Sequence, residues 1–136
     1  MEYNKNMNKT GQIHHIEINV SDWKKSVKFW SWFLKKLGYK VEEKWDAGQT
    51  FKLDKHVIAF VQVKKEYSKP TYHRKRVGLN HLAFYAKSRK QVDEIKLELK
   101  KKNIPILYED RYPDEKWYAV FFEDPDRIKV ELVAEK

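Results

Sequence analysis

His14–Val20 reads HHIEINV, and 66 residues later Asn80–Ala86 reads NHLAFYA. These two stretches decide the fold. In the first, Ile16, Ile18 and Val20 alternate with His15, Glu17 and Asn19, the period-two pattern of a strand with one face turned inward. Ser21-Asp22 then offers an N-cap, and Trp23, Val27, Trp30, Leu34 and Leu37 recur at helical spacing until Gly38 stops the helix. Three short strands are expected next: 39–45, a turn at Asp46-Ala47-Gly48, 50–53, a turn at Asp54-Lys55, and 56–63. After a stretch broken at Pro70 the same order returns. A strand is expected over 79–86, then a helix over 88–102 with a capping box from Ser88 to Gln91 and an apolar stripe of Val92, Ile95 and Leu99. Three more strands follow, over 104–108, 117–123 and 128–134, with turns at Tyr112-Pro113-Asp114 and Asp124-Pro125-Asp126.

Self-similarity extends beyond the first strands. LKKLGY at Leu34 lies over LKKKNI at Leu99, and HVIAFV at His56 lies under IKVELV at Ile128 with an offset of 72. The chain therefore reads as a duplicated βαβββ unit in an α+β fold. Its divisions are a flexible segment over 1–12 and one domain over 13–136, made of module one (13–63), a basic linker (64–77) and module two (78–136).

The 136 residues are 41% hydrophobic and 15% aromatic, enough apolar volume for one packed domain and too little length for several. No apolar run is long enough to span a membrane, and the opening MEYNKNMNKTGQ lacks the apolar stretch of a signal peptide, so a cytoplasmic protein is expected. With no cysteine, thiolate metal sites, thiol nucleophiles and disulfides are excluded, and any metal must sit on His, Asp or Glu. The net charge of +9 favours anionic partners. The densest basic run, KKEYSKPTYHRKR over Lys64–Arg76, reads as a solvated linker. No strand shows the exposed Gly-aromatic pattern of an RNA platform, so nucleic acid is not the expected partner.

The duplication points to a metal. It superposes His15 on His81, each in a first strand and each opposite the helix-packing residues. On the last strand Glu131 alternates with Val130 and Leu132, which turns it toward the same side as the histidines. If the concave sheets of the two modules meet, His15, His81 and Glu131 converge as two imidazoles and one carboxylate, a facial set for a divalent ion such as Mn, Fe, Ni, Zn or Co with positions left open. Glu17, two residues beyond His15, projects to the same side and is the candidate general base. Tyr85, Trp117 and Phe121 are candidates for an aromatic substrate wall. Arg74 and Arg76 are candidates for gripping an anionic substrate group.

HHIEINVSDWKKSVKFWSWFLKKLGY, GLNHLAFYAKSRKQVDEIKLELKKKNI and FFEDPDRIKVELVAE resemble the vicinal oxygen chelate superfamily of glyoxalase, fosfomycin-resistance, extradiol-dioxygenase and bleomycin-resistance proteins. The resemblance implies an open-barrel fold, metal ligands at His15, His81 and Glu131, and a small substrate with neighbouring oxygens. Implied activities are of lyase, isomerase, transferase or dioxygenase type in a homodimer; the alternative is a metal-free, ligand-sequestering binding protein. Glyoxalase I members carry a fourth ligand, a Glu that doubles as the catalytic base, where Ala59 stands here. The fosfomycin-resistance branch carries a cavity Tyr where Phe121 stands.

Overall fold

The computed structural model describes residues 9–135. Its elements follow the order β1 (His15–Val20), α1 (Trp23–Lys36), β2 (Lys40–Trp45), β3 (Gly48–Leu53), β4 (His56–Gln62), β5 (His81–Tyr85), α2 (Arg89–Lys101), β6 (Ile106–Leu107), β7 (Tyr118–Glu123) and β8 (Lys129–Ala134). Two four-stranded sheets result, ordered β1-β4-β3-β2 and β5-β8-β7-β6. In each the first pair, β1–β4 or β5–β8, is parallel and the rest antiparallel, so two copies of a βαβββ unit are present and neither sheet closes into a barrel. The expected loose segment falls largely outside the described residues. Within it, the Gln12 N–H donates to the Lys9 carbonyl and the Gln12 side chain accepts from Lys55.

Both helices begin and end by the same devices. Asp22 accepts from the Lys25 N–H and Ser88 from the Gln91 N–H, satisfying donors that the first turn leaves unpaired. At the other ends Gly38 (φ 97°) and Asn103 (φ 55°) take left-handed conformations. The next residue's N–H then bonds five residues back in each case, Tyr39 to Leu34 and Ile104 to Leu99, a Schellman closure repeated in both halves.

Strands are trimmed relative to the sequence pattern. Pairing starts at His81 rather than Leu79, and the strand expected over 104–108 shrinks to two residues because Tyr108 turns to φ 54°. The turn expected at Asp46-Ala47-Gly48 is a two-residue loop, since Trp45 pairs with Gly48. A Cβ on Gly48 would lie 2.5 Å from the Trp45 ring and 2.6 Å from the Phe60 carbonyl oxygen, so only glycine fits beneath that indole.

One core serves both sheets. Trp30, fully buried, stacks on Phe60 of the first sheet with ring centres 4.6 Å apart. Phe29 and Phe33, one turn apart, meet Phe122 of the second sheet at 6.0 and 5.1 Å, and Phe33 also meets Phe84 at 5.5 Å. The apolar stripe expected on α1 is therefore too narrow. Val27 and Leu37 are only partly buried, while Phe29 and Phe33 are core, because α1 faces two sheets instead of one. On α2 the expected Val92, Ile95 and Leu99 are the buried residues.

The loop between β7 and β8 ties the halves together. Asp124, 4% exposed, accepts from the Trp30 indole N–H at 3.1 Å and from the backbone N–H groups of Asp126 and Ile128 at 2.9 and 2.8 Å. Asp126 in turn accepts from the backbone N–H and hydroxyl of Ser21 at the start of α1. Burial pushes the Asp124 carboxyl up to about 7 against these bonds, which favour its charged form.

Candidate functional site

Alternation along β8 buries Val130, Leu132 and Ala134 and leaves Lys129, Glu131 and Val133 half-buried on the opposite face. Parallel pairing sets His81 beside Lys129 and Ala83 beside Glu131. Diagonally between these two pairs His81 Nε2 lies 3.1 Å from Glu131 Oε2. The other ring nitrogen, Nδ1, lies 2.7 Å from the Asn80 side-chain oxygen. An amide oxygen can only accept, so Nδ1 carries a proton and Nε2 is the nitrogen presented to Glu131. If Nε2 bears no proton of its own, its lone pair faces those of a carboxylate, an arrangement that calls for a cation between them: a second ring proton or a metal ion. An imidazole nitrogen and a carboxylate oxygen this close, 3.1 Å apart, are the donor types that would hold a first-row divalent ion.

This His81–Glu131 pair opens onto a cavity of about 820 Å³ lined wholly by the second module. Phe121, 8% exposed, forms its floor, flanked by Tyr112 and Tyr108 with ring centres 4.9 and 5.5 Å away. Trp117 and Tyr85, both exposed, stand at the rim. The three aromatic candidates thus share one cavity with His81 and Glu131.

The first module repeats the register with different side chains. His15 pairs with Val57 and Glu17 with Ala59, the same rungs that join His81 to Lys129 and Ala83 to Glu131. His15 Nδ1 lies 2.8 Å from His14 Nδ1. One of these nitrogens donates and the other accepts, so the preceding residue engages Nδ1 of the histidine here too. Glu17 is exposed, with its backbone directly across from Ala59.

The expected convergence of His15 with His81 and Glu131 does not occur within one chain. Among the described residues no three His, Asp or Glu side chains group so as to hold a metal ion, and His15 lines a separate groove of about 520 Å³. The reason lies in α1: the helix wedges between the sheets through Trp30, Phe29 and Phe33, so the halves join by their helix-bearing faces and their concave faces do not meet.

Arg74 and Arg76 lie outside the lining of the cavity. The Arg74 guanidinium donates to Glu123 at 2.5 Å in a largely buried pair, while Arg76 donates to the Thr71 carbonyl at 2.6 Å. Burial works against the Arg74 charge, but Glu123 and then Tyr108 outweigh it and raise its pKa. The cations that do line the cavity are Lys129 and Arg111. Sequence reasoning missed both, along with Tyr108, Tyr112 and the Nδ1 partners His14 and Asn80. For that last pair a signal existed, since the offset of 66 that superposes the histidines also superposes the residues before them. For Arg111 there was none, because its position depends on the left-handed turn at Tyr108.

Comparison with known proteins agrees with this architecture. The family model for the Glyoxalase/Bleomycin resistance protein/Dioxygenase superfamily matches residues 12–132. The uncharacterized protein YqjT of Bacillus subtilis is 54% identical over 125 residues, covering 90% of this chain and 98% of its own. A crystal structure from Bacillus halodurans, of a protein proposed to be a glyoxalase, shares 50% identity and superposes with a TM-score of 0.91 over 94% of this chain and 98% of that one. A lactoylglutathione lyase from Agrobacterium tumefaciens, at 22% identity and a TM-score of 0.64 over 91% and 93% of the two chains, shares the fold.

Proposed function

Because the chain belongs to the Glyoxalase/Bleomycin resistance protein/Dioxygenase superfamily, we propose that it is a metalloenzyme acting on a small substrate with two neighbouring oxygens. Its divalent ion is held by His81 and Glu131 of one chain and by His15 of a second copy. The observation that carries the reading is the 3.1 Å approach of His81 Nε2 to Glu131 Oε2, with Asn80 fixing the ring, at the mouth of an aromatic cavity. The repeated engagement of Nδ1 in His15 supports its role as the third ligand, since with His15 as the donor its Nε2 lone pair is left for the ion. A two-chain site follows from the separation of the two concave faces in a single chain.

Such an ion supplies Lewis-acid polarisation of substrate oxygens. The chain's own residues do the rest. Phe121, Trp117 and Tyr85 pack the substrate body and exclude water from it. Glu17, across from the Ala59 position where glyoxalase I resemblance expects a carboxylate, supplies one from the neighbouring strand and moves the proton.

Elemental analysis of purified protein tests this, with one metal per chain expected and its loss in His81→Ala. Mixing His15→Ala with His81→Ala subunits regenerates one complete ligand set in each mixed dimer, so metal returns on mixing. Parent protein that holds no metal, even after incubation with Mn, Ni or Zn, overturns the proposal in favour of a metal-free ligand-sequestering protein. Metal lost in both variants that never returns on mixing overturns the two-chain site.

A further inference from the structure

The end of the cavity around Lys129 carries a chemistry that the His81–Glu131 pair does not use. Tyr108 sits at φ 54°, a left-handed conformation that residues with a side chain seldom adopt. Its carbonyl accepts the N–H groups of Arg111 and Tyr112 at 2.9 and 3.0 Å, winding 108–112 into one turn. That turn brings the Arg111 guanidinium back over the Tyr108 ring, 4.9 Å from its centre. Lys129 arrives from β8 and sets its ammonium 5.5 Å from the same ring.

Two full positive charges therefore share one aromatic ring at a cavity wall. Arg111 has a carboxylate within ion-pairing reach only in the exposed Asp110, at 3.9 Å, and Lys129 has none among the described residues. Arg74 also reaches Tyr108, but Glu123 matches its charge. The cavity wall along β8 and the residue after it is moreover polarised, from Lys129 through Glu131 and Val133 to Glu135 just past the strand.

The geometry points to the Lys129–Arg111 end as a seat for an oxyanion, so that the substrate is an anion carrying a carboxylate or phosphoryl group. A guanidinium fork and an ammonium grip such a group from two sides, and its charge relieves their mutual repulsion. Since His81 is the register partner of Lys129, an anion held there places adjacent substrate oxygens beside the proposed metal ligands. Glu135 at the far end repels the same group, so the substrate enters in one orientation. The inference rests on the proposed function for that orientation, and the chain's charge of +9 steers anions toward it.

The test uses phenylphosphonate and benzoate as probes and benzyl alcohol as their uncharged counterpart, titrated calorimetrically into the full-length His81→Ala protein so that no metal bridges the contact. Either oxyanion binds more tightly than the alcohol and weakens as salt rises, and the preferred one names the charge of the group. Adding Lys129→Met or Arg111→Met weakens oxyanion binding about tenfold without changing alcohol binding, whereas Lys129→Arg restores it. Equal binding of oxyanion and alcohol, no oxyanion binding at millimolar concentration, or Met variants that bind like their parent while melting at the same temperature overturn the proposal. Oxyanion binding by His81→Ala, together with a parent protein that never holds metal, would sink the metalloenzyme reading and leave this one standing; metal in the parent without oxyanion binding by the variant would do the reverse.

Discussion

At the middle rung of the first sheet Glu17 stands on β1 opposite Ala59 on β4, whereas at the same rung of the second sheet Ala83 stands on β5 opposite Glu131 on β8. Each half keeps one carboxylate and one alanine but exchanges the strands that carry them. Around that rung the frame is held constant: strand order, register, helix caps and the bond from the preceding residue to histidine Nδ1 all repeat. The floors differ. Gly48 and Thr50 of β3 answer to Ala119 and Phe121 of β7, so the first module offers a polar groove lined by His15, Glu43, Thr50 and Lys52 and the second an aromatic-walled cavity. Duplication fixed the backbone geometry, and divergence then acted on side chains pointing away from the core.

The largest expected effect tests the seam where the halves meet. With the Asp124 pKa raised from 3.8 to about 7 in the folded protein, the folded state holds a proton that the unfolded chain has already lost. The stability this contributes is complete below pH 4 and is lost as pH rises from about 4 through about 7. The loss is on the order of 4 kcal/mol if the shift is realised in full. Denaturant unfolding at a series of pH values shows the decline, and Asp124→Asn flattens it; a variant with the parent's slope would assign the decline elsewhere.

Next in size is the contrast between floors. Gly48→Ala drives a methyl into the Trp45 ring and the Phe60 carbonyl and destabilises by about 3 kcal/mol. The reciprocal Ala119→Gly on β7 costs only about 1 kcal/mol, and thermal melts of the pair compare the two directly. Similar losses would mean that the matching positions are packed alike after all.

The smallest effect probes what the halves share. Asn80→Ala and His14→Phe each release an Nδ1 contact, and each is expected to weaken metal binding ten- to a hundredfold with little change in melting temperature. Metal titration of both variants reads this. A drop for Asn80→Ala alone would confine the metal to the second module.

Much of this was legible from spacing. The offsets of 66 and 72 reappear as identical strand registers, and alternation alone turned His81 and Glu131 to one face. The missing part involved contacts between distant segments. Phe29 and Phe33 look like excess hydrophobics on a helix until Phe84 and Phe122 arrive from the other half. Arg74 looks like a free anion grip until it meets Glu123, and no local pattern announces either meeting.

The wedge made by α1 has a corollary for any shortened form of this molecule. A polypeptide ending near Pro70 would expose Phe29 and Phe33 to water where aromatic partners now cover them. It could hide those rings only by recruiting another half-length polypeptide. The smallest self-sufficient particle of this architecture is thus a pair of units, whether joined by a peptide tether or not.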